Sequence, residues 1–156
     1  MKTLNSLLLA FAVVALAFGC SKKPETLVTG DSFDDTAMDA AIARARAEVD
    51  TFVKVVESKE GQSLAVKAPI KDANGTEHFW LTGVTYANGT FSGKIGNEPG
   101  VVKNGAFGQS WQIKKGEISD WMYHKGDKIH GGYTIDPLLH TMPEAEAAVM
   151  RAKLVR

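Results

Sequence analysis

The sequence has little of several features that would narrow its function. Its 156 residues include one cysteine, Cys20, so no disulfide can form within a single chain. Basic and acidic residues each number 18, which leaves no basic surplus of the kind found in nucleic-acid-binding domains. The apolar run from Leu7 to Phe18 is shorter than the roughly 20 residues that a membrane-spanning helix needs. We therefore predict no disulfide partner, no nucleic-acid partner and no membrane span in this run.

Motifs that identify common enzyme classes are missing as well. The sequence contains no HExxH, no GxSxG and no GxxxxGK[ST]. The histidines at 78, 124, 130 and 140 are scattered, and no cysteine pair accompanies them. A zinc site needs three or four ligands at suitable spacing, so this pattern predicts no metal and no cofactor.

The first 19 residues have the layout of a secretion signal. Lys2 is their only charged residue, an apolar run follows, and small residues occupy positions 17 and 19. Cys20 comes next, and "LAFGC" resembles a bacterial lipobox, although Ala17 stands where leucine is most usual. We predict a lipoprotein signal peptide at 1–19, a lipidated Cys20, and a flexible tether over 20–35.

Lipidation of Cys20 would fix where the protein sits. The resemblance to a lipobox implies a diacylglyceryl thioether and, in Gram-negative bacteria, a third, amide-linked chain such as palmitate. Two or three acyl chains hold a protein on a bilayer far more firmly than one. Ser21, and not aspartate, follows the cysteine. The sorting rule of enterobacterial lipoproteins then predicts the periplasmic face of the outer membrane, with the lipid bilayer as a partner.

Residues 36–156 are predicted to form one domain. Apolar residues at spacings of three and four predict an amphipathic helix over 37–57, with Thr36 as its N-cap. The period then falls to two over 63–71, which predicts a half-buried strand; Pro69 places that strand or its end at a sheet edge.

The tetrapeptide "ANGT" occurs at 73–76 and again at 87–90. Asn-Gly favours the type I′ turn of tight hairpins, so we predict a meander of strands over 63–71, 77–86 and 90–95. Further strands are predicted at "QSWQI", "ISDWMY" and "KIHGGYTI", and a short C-terminal helix follows Pro143. The fold class is therefore α+β: an N-terminal amphipathic helix packed on a curved antiparallel sheet or small open barrel of about five to six strands.

The stretch "EISDWMYHKGDKIHGGYT", residues 117–134, permits two hairpins. A two-residue loop at 126–127 pairs Tyr123 with His130 and puts His124 on the opposite face from His130. A three-residue loop at 125–127 places Asp120 and both histidines on one face, where acid–base or metal chemistry becomes feasible. Loop length decides between a structural hairpin and a reactive site.

The two-residue loop also suggests a role for the glycine pair. It places Gly132 opposite Trp121, which leaves room for the indole ring to lie across the neighbouring strand.

Taken in order, several short segments resemble one family. "MDAAIARAR", "AVKAPI", "GTEHFWL", "FSGKIGNEP", "ISDWMY", "GGYT" and "LLHTMPEAEAAVMRAKL" together resemble the YegJ-like bacterial lipoproteins, built on domain-of-unknown-function family 2314. The resemblance covers nearly all of residues 37–155. It implies no catalytic residue and no ligand for this chain.

Our leading hypothesis is a membrane-anchored envelope lipoprotein that acts as a binding or interaction module, with an envelope protein or a cell-wall component as its partner. We expect its binding surface to comprise Trp80, Asn97, Glu98, Lys103, Asp120, Trp121, Tyr123 and His130. One alternative is a hydrolase or metal-dependent enzyme that uses Asp120, His124 and His130. A second alternative, a toxin-neutralising envelope protein, is not distinguished from the first hypothesis by sequence.

Overall fold

The computed structural model of the protein describes residues 34–156 and the backbone of two short segments, Ala10–Ala12 and Thr26–Val28. Apart from these segments, the predicted signal peptide and tether, and with them Cys20, lie outside the described residues. No helix in the described part of the chain is long and apolar enough to cross a membrane.

The predicted N-terminal helix forms as two consecutive helices, α1 (Asp35–Ala47) and α2 (Val49–Ser58). They are separated at Glu48, whose backbone is not helical (φ −101, ψ 6). The prediction of Thr36 as the N-cap was wrong. The cap is Asp34, whose Oδ1 accepts a hydrogen bond from the backbone N–H of residue 37 at 2.9 Å.

In the described part of the chain, eight strands form one sheet. They are β1 (Ala10–Ala12), β2 (Thr26–Val28), β3 (Gln62–Asp72), β4 (Gly75–Ala87), β5 (Thr90–Ile95), β6 (Ser110–Lys114), β7 (Asp120–Lys125) and β8 (Lys128–Gly131). The last six are antiparallel, in the spatial order β8-β7-β3-β4-β5-β6. Strand β1 joins β4 in parallel at Glu77 and His78 and pairs with β2 on its other side.

The antiparallel sheet is strongly curved. Strands β6 and β7 are separated in the sheet by three other strands, yet only residues 115–119 connect them along the chain. Residues 115–117 form a 3₁₀ turn with a rise of about 2 Å per residue, so the link spans at most about 17 Å. In a flat sheet four strand spacings would put β6 and β7 about 19 Å apart, so the sheet must curve to bring them closer. The predicted α+β fold with a curved, open antiparallel sheet is confirmed.

The C-terminal region departs from the prediction in one place. The predicted strand "KIHGGYTI" stops at Gly131, and a 3₁₀ helix covers Tyr133–Thr141. Positive φ angles at Gly131 (74°) and Gly132 (66°) turn the chain away from the sheet. Helix α3 (Glu144–Lys153) follows, and this confirms the predicted C-terminal helix.

Both faces of the sheet are covered, so the prediction of a half-buried β3 was wrong. On one face, α1 and α2 pack against a core that includes Phe52, Phe79 and Trp121. On the other face, the 3₁₀ helix and α3 cover a second core that includes Trp80 and Met122. Because this second layer covers the other face, residues 65–68 of β3 are all buried, whichever face of the sheet their side chains lie on.

The two "ANGT" copies both reverse the chain, but they do so differently. In the second copy, Asn88 (φ 50°) and Gly89 (φ 78°) form the predicted two-residue turn between residues 87 and 90. In the first copy the loop is Ala73-Asn74, because Asp72 pairs with Gly75. The prediction of a type I′ Asn-Gly turn there was therefore wrong; the Asp72 carboxylate accepts the N–H of residue 74 at 2.7 Å.

Pro69 lies where the prediction expected it, at an edge. Strand β7 pairs with β3 only as far as Lys67, so Pro69 has a partner strand, β4, on one side alone. A missing N–H costs no ladder hydrogen bond at such a position.

Candidate functional site

The β7–β8 hairpin has the two-residue loop. Lys125 pairs with Lys128 and Tyr123 with His130, and the positive φ of the loop falls on Gly126 (62°). His124 pairs with Ile129 and therefore lies on the opposite face from His130. The structure thus does not bring Asp120, His124 and His130 to one point.

Asp120 is buried and its carboxylate is held by the backbone. It accepts hydrogen bonds from the N–H groups of Trp121 (2.8 Å), Tyr133 (3.2 Å) and Thr134 (2.8 Å), and from the Thr134 hydroxyl (2.7 Å). Burial raises the pKa of Asp120, against the opposing effect of the charge on Lys67. The carboxylate fixes the start of the 3₁₀ helix to the start of β7.

Lys67 lies beside this carboxylate and is also buried. Its Nζ donates to the Thr134 hydroxyl at 2.9 Å and lies 5.3 Å from the centre of the Trp80 ring. Burial lowers the pKa of Lys67 to about 8, and the charge on Asp120 counteracts that shift. Lys67, Asp120 and Thr134 form what we call the buried polar cluster, in which the hydroxyl bridges the ammonium and the carboxylate.

A second polar pair adjoins the buried polar cluster. His78 Nδ1 lies 2.9 Å from the Ser119 hydroxyl, which itself donates to the carbonyl of Lys67 at 3.2 Å. Burial, with the positive charges of Lys67 and Arg46 in support, lowers the pKa of His78 to about 3. The imidazole is therefore neutral across the physiological pH range.

Glu77 and His78 follow an Asn-Gly pair at the start of a strand, a position that favours exposure, yet both residues are buried. Glu77 is fully buried, and its carboxylate is compensated by hydrogen bonds from the backbone N–H groups of residues 100, 101 and 102 at 2.9 to 3.3 Å. These amides belong to the loop between β5 and β6, which closes one end of the sheet. No local signal in the sequence marks Glu77 as buried, because the amides that it binds lie 23 to 25 residues further along the chain.

The predicted binding surface is divided by the fold. Four of its members are buried, which contradicts a surface role for them: Trp80, Asn97, Asp120 and Trp121. Glu98 and Lys103 are exposed on the β5–β6 loop. Tyr123 and His130 are half-buried and stack with ring centres 4.8 Å apart.

The two buried tryptophans serve different faces of the sheet. Trp121 stacks on Phe52 with ring centres 5.4 Å apart, and its indole N–H donates to the carbonyl of Ala45 at 2.8 Å. Trp80 belongs to the opposite core, under the 3₁₀ helix. Their burial leaves no aromatic platform that combines these two side chains.

Two concave regions lie on the described part of the surface. A cavity of about 360 Å³ is lined mainly by apolar groups between two strand irregularities, at Ser63 (φ 50°) and Gly83 (φ 63°). A groove of about 480 Å³ runs between α1 and the 3₁₀ helix, past Arg44 and Tyr133. The Tyr133 hydroxyl donates to Glu48, and burial together with that bond raises the pKa of Tyr133 to about 12.

The arrangement offers no metal-binding geometry in residues 34–156. No group of three or more histidine, cysteine, aspartate or glutamate side chains in the described part of the chain could hold an ion. The side chains of Lys67, Glu77, His78 and Asp120 are hydrogen-bonded to other side chains or to backbone N–H groups. What they do chemically is fix the 3₁₀ helix, the β5–β6 loop and the sheet together.

Comparison with known proteins gives one family and two relatives. The family model described as "Uncharacterized protein conserved in bacteria (DUF2314)" matches residues 35–154. The chain is 59% identical over 138 residues to "Uncharacterized protein YegJ" of Escherichia coli K12, covering 88% of this chain and 90% of that protein. It is 32% identical over 85 residues to a "Putative ankyrin repeat protein" of Neisseria meningitidis serogroup B, covering 52% of this chain and 34% of that protein. No solved structure matches the chain significantly.

Proposed function

The chain belongs to the DUF2314 family of bacterial proteins, and from that premise we propose that it is an envelope lipoprotein, held at a membrane by acylated Cys20, whose folded domain binds a partner. The observation that carries this proposal is the position of Cys20, directly after an apolar signal-like run and shortly before the folded domain. The proposed location is the periplasmic face of the outer membrane.

The distance between anchor and domain suits this arrangement. The first described helix begins at Asp35, so residues 21–34 separate it from the proposed anchor. Strand β2 lies within these residues, and removal of the proposed signal peptide would take away its partner strand β1. A fully extended chain of 14 residues reaches at most about 50 Å. The domain would therefore stay within one or two of its own diameters of the bilayer and meet partners there.

The chemistry of the described domain supports binding more than catalysis. A catalytic acid or base must reach a substrate proton. The carboxylates of Asp120 and Glu77 are buried and bonded to backbone N–H groups of the domain. The exposed or half-buried members of the predicted surface, which are Glu98, Lys103, Tyr123 and His130, remain available for contact with an envelope protein or a cell-wall component.

Metabolic labelling with palmitate and membrane fractionation test the anchor. The intact protein should incorporate the label and sediment with membranes, whereas Cys20→Ser should lose the label and the membrane association. Ser21→Asp is the matched control: it should stay acylated and move to the inner membrane. An intact chain that is made in a Gram-negative host and takes up no fatty acid would overturn the proposed anchor.

Site-specific photo-crosslinking tests the binding role. A photoreactive amino acid at Glu98 or Tyr123 should capture a discrete envelope partner in intact cells, while the same probe at the exposed Glu57 on α2 serves as a control surface. Turnover of peptidoglycan fragments by the purified protein would contradict a purely binding role.

A further inference from the structure

Strand β6 has a free edge. It pairs with β5 on one side, and no second strand of the described chain lies on its other side. The carbonyl of Gln109 accepts a hydrogen bond from the N–H of Ile95 in β5, and the N–H of Lys115 donates to the carbonyl of Gly89, just before β5. The backbone N–H and C=O groups of the odd-numbered residues in this segment therefore point toward β5. The backbone N–H and C=O groups of Ser110, Gln112 and Lys114 therefore point in the opposite direction, outward from the free edge of the sheet.

These outward groups are arranged symmetrically about Gln112. If a second β6 lies antiparallel with its Gln112 opposite this one, then Ser110 of each copy faces Lys114 of the other. The strand of residues 110–114 is then paired over its whole length, and six backbone hydrogen bonds form across the axis. We propose that two copies of this chain associate through β6 and continue their sheets into one.

The side chains are compatible with this register. Trp111 and Ile113 share the inner face and would sit opposite one another across the interface, a favourable aromatic and β-branched pair. Lys114 would face the neutral Ser110, so no like charges are opposed. A two-fold axis at Lys114 would place two ammonium groups face to face and would pair fewer residues.

Apolar surface at this edge is incompletely covered. Trp111 is only half-buried against the first core. A second copy alongside β6 would cover apolar surface there, which an isolated domain leaves in water.

The pairing is expected to be weak in solution. A five-residue strand contact is smaller than a standard interface of about 1,600 Å². The proposed lipid anchor would confine both copies to one surface and raise their effective concentration. The interface itself does not depend on the anchor and can be tested without it.

Disulfide trapping tests the register. In a Cys20→Ser background, Gln112→Cys places the only cysteine of each copy on the two-fold axis, where paired Cα atoms lie about 5.5 Å apart, within disulfide range. Ser110→Cys is the matched control, since its copies would lie about 13 Å apart. We expect Gln112→Cys to form a disulfide dimer at least tenfold faster than Ser110→Cys, and Ser110→Cys to cross-link when mixed with Lys114→Cys. Equal rates for the two single variants would overturn the proposal.

Sedimentation of concentrated protein gives an independent readout. Gln112→Pro removes an N–H that points outward, and Gln112→Glu sets two negative charges on the axis; either change should abolish self-association. Ser92→Ala, which removes only the 3.2 Å bond between Gln112 Nε2 and the Ser92 hydroxyl, should leave it intact. A Gln112→Glu variant that dimerises as the parent does would contradict the proposed interface, even if Gln112→Pro fails to fold.

Discussion

At the scale of single residues, the buried Lys67 and Asp120 need explanation. Each has a pKa shifted by burial toward its neutral form, and each opposes the shift of the other. Two buried charges are tolerable only when they are paired and hydrogen-bonded, and the Thr134 hydroxyl supplies the bridge. The buried polar cluster thus holds the 3₁₀ helix over the sheet and specifies where it begins.

We predict that Lys67→Met destabilises the protein by about 3 kcal/mol, because it leaves the Asp120 carboxylate buried without a cation. Asp120→Asn should cost a similar amount for the converse reason. The double variant should cost less than the sum of the two by at least about 1 kcal/mol, since neither charge is then left alone. Urea unfolding measures all three; strictly additive values would show that the two side chains are not coupled.

The pH dependence of the same variants follows from the Lys67 pKa. It is about 8 in the folded protein against a usual 10.5, so between these pH values the folded state holds fewer protons than the unfolded state. Stability contributed by this group therefore rises with pH in that window. The Lys67→Met variant should not show this rise in the free energy of unfolding between pH 8 and pH 10.5.

At the scale of elements, the β7–β8 hairpin shows how a glycine pair ends a strand. The sequence placed Gly132 against Trp121, but Gly131 has that role. A Cβ on Gly131 would lie 2.5 Å from Cε3 of Trp121 and closer still to the Trp121 carbonyl oxygen. Gly132 instead donates its N–H to that carbonyl at 2.8 Å. The difference arises because the chain leaves the sheet one residue earlier than a regular strand would.

Gly131→Ala should therefore be much more damaging than a glycine replacement elsewhere in the hairpin. Gly131 combines a positive φ (74°) with the clash against Trp121, so we expect a loss of about 3 kcal/mol or more. Gly126→Ala is the control: its φ is 62° but nothing lies within 4 Å of the added Cβ, so about 1 kcal/mol is expected. Thermal unfolding of both variants checks the order, which a comparable loss in the two would contradict.

At the scale of the whole molecule, helix α1 and the last residue, Arg156, meet at Tyr133. The guanidinium of Arg44 in α1 lies 4.4 Å from the centre of the Tyr133 ring, and that of Arg156 lies 5.6 Å from it. Arg156 also donates to the carbonyls of Gly131 (2.8 Å) and Gly132 (3.2 Å). The segment after α3 is also held against β8, because the Val155 N–H donates a hydrogen bond to the carbonyl of Ile129 at 2.9 Å.

Arg156→Ala should lower the free energy of unfolding by about 1 to 2 kcal/mol, because two backbone carbonyls lose their donor. Arg44→Ala should cost less, about 0.5 kcal/mol, since its ion pair with Glu48 is largely exposed. Chemical denaturation measures both. A larger loss for Arg44→Ala would indicate that the ring contact, and not the carbonyl bonds, carries the stabilisation.

The sequence predicted the elements where a local pattern dominates. The apolar stripe from Met38 to Phe52 and the strands predicted over 63–71 and 90–95 are set by periodicity and turn chemistry, which act between neighbours along the chain. For the hairpin at 125–128 the sequence permits two loop lengths, and only the strand pairing decides for the two-residue loop. It failed where identical local signals met different surroundings. The two "ANGT" copies are the plainest case, since the Asp72 carboxylate shifts the first turn by one residue.

The sequence by itself determined the α+β class, the order of the elements and the family to which the chain belongs. Only the tertiary structure decided which polar residues are inside. Lys67, Glu77, His78 and Asp120 have no local feature that marks them as buried, because their burial depends on partners between 14 and 67 residues away in the chain. Hydrogen bonds to those partners offset the cost of removing each group from water, and such bonds exist only once the β5–β6 loop and the 3₁₀ helix have packed against the sheet.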